Sequence, residues 1–193
     1  MTRQRRVGPL PVAYALLGCF FLAERLLRHG PDAASLEAGQ SDQGTTRAIG
    51  RAFGQGLLAL AVAPLLNCWR LGRLTVPGMA WGGIAAMVAG LTVRVWAARV
   101  LGASYTRTLR TNTTQSLVEE GPYRLVRHPG YLGVLLLWLG AGLASANVLV
   151  AGLIAISMGR AYRRRIGSEE AMLTDTFGED YVAYMRRTWR LIP

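Results

Sequence analysis

Five apolar segments constrain this chain more than any other feature: residues 10–27, 49–69, 79–101, 131–144 and 148–158, with arginines, glycines and polar turns at their edges. A helix needs about 20 apolar residues to cross a bilayer. The first three segments meet that length. The last two are short and are separated only by Ser145-Ala146-Asn147, which predicts a tight helical hairpin whose second arm continues through residues 160–173. The chain is 51% hydrophobic and only 17% charged, against about a quarter charged in a soluble domain, and its charges sit at the ends and connections of the apolar runs. This pattern predicts an all-α, polytopic membrane protein with about five transmembrane helices, a short hairpin and an amphipathic C-terminal helix over residues 177–189.

The segments carry local punctuation. The first resembles the apolar core of a signal peptide, but Glu24 and Arg25 follow without a small-residue cleavage site, so it is read as a retained helix. Residues 29–46 are polar and form a loop. Pro64 is tolerable in a membrane helix packed against neighbours. Gly82, Gly83 and Gly90 allow close helix approach, within one chain or between two. Arg94 and Arg99 either snorkel or face a polar pocket. Cys19 and Cys68 lack a CxxC partner and read as small core hydrophobes. His29 falls in the loop, and no HExxH or Cys/His cluster suggests a metal.

The net charge of +11 comes entirely from arginine on the basic side, since all 22 Lys+Arg positions are Arg. These residues flank apolar segments and build no soluble basic patch with interleaved aromatics, which argues against nucleic acid. Arginine-only usage with abundant Ala, Gly and Leu suggests a GC-rich bacterial genome, hence a bacterial inner membrane. With five crossings and the N-terminus outside, only Arg3, Arg5, Arg6, Arg70 and Arg73 lie on the outer side. The positive-inside rule then sets the C-terminal half in the cytoplasm.

Polar chemistry concentrates in residues 116–131 and 160–170. Gly121-Pro122 makes a turn, and His128-Pro129-Gly130 breaks the backbone just before a helix. Such a loop presents backbone N–H groups to a ligand, while Tyr123 and Tyr131 offer flat faces to a ring or cation. An interfacial aromatic belt would use the same tyrosines. In the second region Arg165 and Glu169 stand four residues apart and share a helix face. They suit either a solvated ion pair or a site in which the carboxylate binds an amino group and the guanidinium grips a carboxylate. The hairpin returns the chain to the same membrane side, so residues 128 and 165 are expected to be neighbours. Tyr181, Tyr184 and Trp189 among arginines suggest an interfacial helix.

These residues resemble the isoprenylcysteine carboxyl methyltransferase family, within the wider group that includes phospholipid methyltransferases. The carrying pattern is Leu117-Val118-x-x-Gly121-x-Tyr123-x-x-x-Arg127-His128-Pro129-x-Tyr131-x-Gly133, then Arg165-x-x-x-Glu169-Glu170, then Phe177-Gly178-x-x-Tyr181-x-x-Tyr184. It spans residue 94 to the C-terminus. The resemblance implies one helical membrane domain over residues 1–193, with N-terminal helices in 1–101 and a cofactor-binding half in 102–193. It implies S-adenosyl-L-methionine held by Gln115, Ser116, Leu117, Val118, Tyr123, His128, Pro129, Gly130, Tyr131 and Glu169. Arg165 would orient the acceptor and Glu170 would stand beside it as the catalytic pair. Gln115 replaces a usual His, and Gly130 a usual Ser or Ala. No GxGxxG follows a strand, consistent with a fold other than the soluble Rossmann type.

The expected function is methylation of a lipophilic, isoprenylcysteine-like acceptor at its carboxylate, which is ionised at neutral pH and needs no general base. A phospholipid or small-lipid N-, O- or S-methyltransferase, or a non-catalytic membrane scaffold, are the competing readings.

Overall fold

The computed structural model describes residues 8–27, 44–102 and 117–192, and among these the chain is helical with no strand beyond two isolated bridges. The elements are α1 (Pro9–Leu27), α2 (Thr45–Cys68), α3 (Met79–Leu101), a 3-10 turn (Gly121–Arg124), α4 (Pro129–Ala144), α5 (Val148–Phe177) and α6 (Glu179–Arg187). α1, α2 and α3 are long and apolar enough to cross a membrane, whereas α4 is a shorter apolar helix. At 16 residues, α4 rises about 24 Å. Most of the polar loop expected over 29–46 lies outside the described residues. Its end does not: Thr45 and Thr46 already belong to α2.

Backbone contact between α3 and α4 organises the bundle. A Cβ added at Gly90 would sit 2.5 Å from the Gly133 carbonyl oxygen, and one at Gly83 would sit 2.5 Å from that of Gly140. The two pairs are seven residues apart on each helix, which keeps them on one stripe as the helices run antiparallel. In lipid, where apolar side chains gain little by meeting one another, such close approach of small residues is the main source of helix association. Gly82 has nothing within 4 Å and takes no part. The glycines that matter therefore pack helices within one chain.

α2 lies along α5, antiparallel, and α1 lies on α3 and α4. Leu17, Phe20, Leu60, Met87, Leu137, Trp138, Ile154 and Met158 fill the centre. Leu26, Leu58, Trp69, Trp81, Trp96 and Ile156 point outward, as expected for a surface whose solvent is hydrocarbon. Cys19 and Cys68 are free and exposed, so they are not core residues as their apolar settings suggested.

Polar residues collect at the two ends. At one end Asn147 caps α5, accepting from the Leu149 and Val150 N–H groups and donating to Asn67 Oδ1 and the Leu71 carbonyl, both at 2.8 Å. This locks the 145–147 turn to the loop after α2. The opposite end holds Glu24, Thr45, Arg94, His128 and Arg165, and it is where the chemistry lies.

Candidate active site

The 121–131 loop is built on two backbone devices. Gly121 has a φ of 56°, which lets the chain enter the 3-10 turn. His128 then occupies the N-cap of α4, with Pro129 at its first helical position, where a missing N–H costs nothing. A clamp from the C-terminus holds this loop in place. Residues 126 and 189 form a parallel bridge, in which the Arg127 N–H donates to the Trp189 carbonyl at 2.7 Å and the Trp189 N–H to the Leu125 carbonyl at 2.9 Å. The Tyr184 hydroxyl donates to the Tyr123 carbonyl at 2.7 Å, and Arg127 Nη1 donates to the carbonyls of Met185 (2.9 Å) and Thr188 (2.6 Å). Tyr181 and Tyr184 are buried, so α6 turns its aromatic face onto the loop and not toward headgroups. Only Trp189, 59% exposed, fits the interfacial expectation.

α5 supplies the facing side chains. Arg165 is buried; its Nε donates to the Tyr131 hydroxyl at 3.1 Å and its Nη1 to Thr45 Oγ1 at 3.0 Å and Thr46 Oγ1 at 3.3 Å. Glu170 Oε1 accepts from Arg127 Nε and lies 3.2 Å from His128 Nε2, while its Oε2 pairs with Arg190 Nη2 at 2.6 Å. Burial pushes the Glu170 carboxyl up, but the hydrogen bonds from His128 and Arg190 and their charges outweigh it and bring the value down to about 2. Glu170 is thus an acceptor only, so His128 carries its hydrogen on Nε2 in this contact. His128 Nδ1 faces Glu169 Oε2 at 3.7 Å, and the His128 and Tyr131 rings stack with centroids 5.6 Å apart and planes 11° from parallel.

The depressed Glu170 value sets an acid limit. Its stabilisation is complete above the ordinary carboxyl value of 4.5 and is lost as pH falls toward about 2. Melting of the detergent-solubilised protein is expected to drop across that window, and by less in Glu170→Gln. Parallel acid profiles for the two proteins would contradict this role.

The predicted neighbourhood of 128 and 165 is present: His128, Tyr131, Arg165, Glu169 and Glu170 form one connected group. Tyr123 lies on the far side of the loop, under Tyr184. Leu117 and Val118 are half-buried just before the turn, and Pro129 and Gly130 are buried. Gln115 and Ser116 lie outside the described residues. Glu170 has hydrogen-bond partners on both oxygens, whereas Glu169 Oε2 is buried without one, His128 Nδ1 standing 3.7 Å away. Arg163 and Arg164 line a groove of about 590 Å³ with Thr45, Arg160 and Ser168.

Sequence reasoning missed Thr45 and Thr46 as partners of Arg165, and Arg190 as a partner of Glu170; nothing in their local sequence marks them. It also left Arg94 open. Arg94 Nε pairs with Glu24 Oε1 at 2.6 Å, tying α3 to α1. A Cβ on Gly130 would stand 2.8 Å from Arg94 Nη1, so glycine at this position leaves room for that guanidinium. Arg99 stays exposed.

As an arrangement of donors and acceptors, the group can take a cation on Glu169 Oε2, a flat ring beside the His128–Tyr131 stack and an anionic oxygen at Arg165. Among the described residues no group of His, Cys, Asp and Glu is placed to hold a metal ion.

Comparison with known proteins agrees with the motif reading. Residues 83–175 match the Isoprenylcysteine carboxyl methyltransferase (ICMT) family. A "Probable protein-S-isoprenylcysteine O-methyltransferase" of Oryza sativa subsp. indica is 30% identical over 113 residues, covering 58% of this chain and 59% of the relative. "Protein-S-isoprenylcysteine O-methyltransferase A" of Arabidopsis thaliana is 33% identical over 104 residues, covering 53% of each. The chain thus matches somewhat more than half the length of these curated relatives. The solved structure of the eukaryotic intramembrane Ras methyltransferase ICMT superposes with a TM-score of 0.69 at 19% identity, covering 98% of this chain and 69% of that one. The helical membrane fold is therefore shared. These similar proteins are eukaryotic, and they lend no support to the bacterial source suggested by arginine usage.

Proposed function

We propose that this protein is an integral membrane enzyme that transfers the methyl group of S-adenosyl-L-methionine to the carboxylate of a lipophilic, isoprenylcysteine-like acceptor. The observation that carries this reading is the buried Glu169 Oε2, which lacks a hydrogen-bond partner, one helical turn from the buried Arg165 guanidinium. One group suits an ammonium and the other a carboxylate, and the ring stack lies beside both. The chemistry of the donor set therefore fits the cofactor, which when bound supplies an already activated sulfonium methyl.

The chain's task is then alignment. Glu169 accepts from the cofactor's amino group, and the 117–131 stretch cradles its remaining parts. Arg165 and the Tyr131 hydroxyl orient the acceptor's ionised carboxylate, which needs no deprotonation. Glu170 acts as a positioning residue, holding His128 and Arg127 and thereby the loop. The acceptor enters from lipid between α3, α4 and α5, and the site end of the bundle, where arginines gather, faces the cytoplasm.

The test is transfer of labelled methyl from S-adenosyl-L-methionine to an N-acylated S-isoprenylcysteine by purified protein, with S-adenosylhomocysteine binding measured alongside. Methyl incorporation is expected, and Glu169→Ala should weaken S-adenosylhomocysteine binding about tenfold or more. Label appearing only in extracted phospholipids or thiols would replace the acceptor class. No binding of S-adenosylhomocysteine would leave a scaffold.

A further inference from the structure

Three buried side-chain polar atoms among the described residues have no hydrogen-bond partner: Trp138 Nε1, Glu169 Oε2 and the Tyr181 hydroxyl. Folded proteins leave few such atoms, and each asks for a reason. Trp138 stands in the bundle centre, packed on Gly56 and Phe53, where its neighbours are apolar. The other two stand at the site end on different helices, Glu169 on α5 and Tyr181 on α6, and α6 folds back against α5.

The surroundings of Tyr181 narrow what it lacks. Its hydroxyl feels the charges of Glu170, Glu169 and Arg127. Glu170 is already matched by Arg127, His128 and Arg190, and Arg127 is matched by Glu170 and two carbonyls. Glu169 meets the Tyr131 hydroxyl, and its Oε2 faces only His128 Nδ1 at 3.7 Å, so that oxygen keeps an open hydrogen-bond position in this corner. Burial first, then the two carboxylates, keeps the Tyr181 hydroxyl protonated far above neutral pH. Its oxygen lone pairs remain available, in a negative local field. A primary ammonium, cationic and with three N–H donors, suits both orphaned atoms at once, and its charge suits the carboxylates around them. The Glu169 side chain retains 25% exposure, so this corner is open to a ligand on that side.

We propose that the Tyr181 hydroxyl is a second acceptor, beside Glu169 Oε2, for the α-amino group of the bound ligand. The inference rests on the reading that the ligand is S-adenosyl-L-methionine, and it adds a contact from the C-terminal helix to the loop and α5. It also explains why α6 carries a tyrosine with its polar tip buried when the neighbouring Tyr184 spends its own hydroxyl on the Tyr123 carbonyl.

The experiment is calorimetric binding to the full-length protein in detergent, with two probes. S-adenosylhomocysteine carries the amino-acid end; 5′-methylthioadenosine keeps the nucleoside and sulfur but lacks that end. Tyr181→Phe removes only an oxygen that bonds to nothing in the protein, so it is expected to melt like the parent. It should weaken S-adenosylhomocysteine binding about tenfold and leave methylthioadenosine binding within about twofold. Unchanged S-adenosylhomocysteine affinity, or an equal loss for both probes, overturns the assignment. If the parent protein binds S-adenosylhomocysteine but the variant is indifferent, only this inference fails. If the parent binds neither probe, the proposed function fails and the inference with it.

Discussion

Replacing Arg165 with alanine is expected to lower methyl transfer by about 100-fold or more while S-adenosylhomocysteine binding stays within about threefold of the parent. Arg165 is a buried cation whose Nε and Nη1 already meet Tyr131, Thr45 and Thr46. A carboxylate arriving there meets a guanidinium fixed in orientation, in surroundings of low dielectric, where a charge-assisted pair is far stronger than in water. Alanine removes that pair and also leaves the Tyr131 hydroxyl and the two threonines without their shared donor. Lysine keeps the charge but has no planar fork to hold the three oxygens and an acceptor together, so Arg165→Lys should recover only part of the rate. Single-turnover transfer and separate binding measurements distinguish this from collapse of the site. An alanine variant with parental turnover would remove Arg165 from the acceptor site.

The second large effect concerns the frame and not the chemistry. Gly90→Val should cost about 3 kcal/mol or more and lower the melting temperature by about 10 °C, because the added atoms meet a backbone carbonyl that cannot step aside. The Cβ alone would lie 2.5 Å from the Gly133 oxygen and 2.7 Å from the Leu137 nitrogen. The helices must separate to admit it, and Arg94 on α3 and His128 at the N-cap of α4 stand only four and five residues from Gly90 and Gly133. Loss of the binding site should therefore accompany loss of stability. Gly82→Val is the control: with nothing within 4 Å of its Cβ position, it should change melting by no more than about 2 °C. Equal behaviour of the two variants would mean that the close approach does not hold the bundle.

Membrane solvent made much of the fold legible. Apolar runs are long and unambiguous when every backbone group must be satisfied within its own helix, and the third run coincides with α3 to the residue. The hairpin was legible too, because two short segments joined by three polar residues leave little choice of path. From that path followed the expected neighbourhood of residues 128 and 165; that it is made by Glu170 meeting His128 and Arg165 meeting Tyr131 was visible only in the structure. Amphipathic aromatics were less informative. Tyr181 and Tyr184 among arginines suit a headgroup belt or a helix packed on a loop equally well, and only the packing separates the two. Apolar context likewise misplaced Cys19 and Cys68, since in lipid an apolar residue is as much at home outside as inside.

The group at Arg165 and Glu169 shows where the sequence stops. By itself it determined that a carboxylate and a guanidinium share one face of α5 and that the Gly121–Tyr131 loop lies at the same end of the bundle, because helical spacing and chain connectivity are local properties. The tertiary structure alone decided which charges are used up. Arg190 reaches Glu170 and Thr45 reaches Arg165 across 20 and 120 positions of chain, and polar pairs at such separations leave no periodic trace. Those pairings neutralise Glu170 and leave Glu169 Oε2 and the Tyr181 hydroxyl as the described buried atoms at this end of the bundle that still need a hydrogen-bond partner.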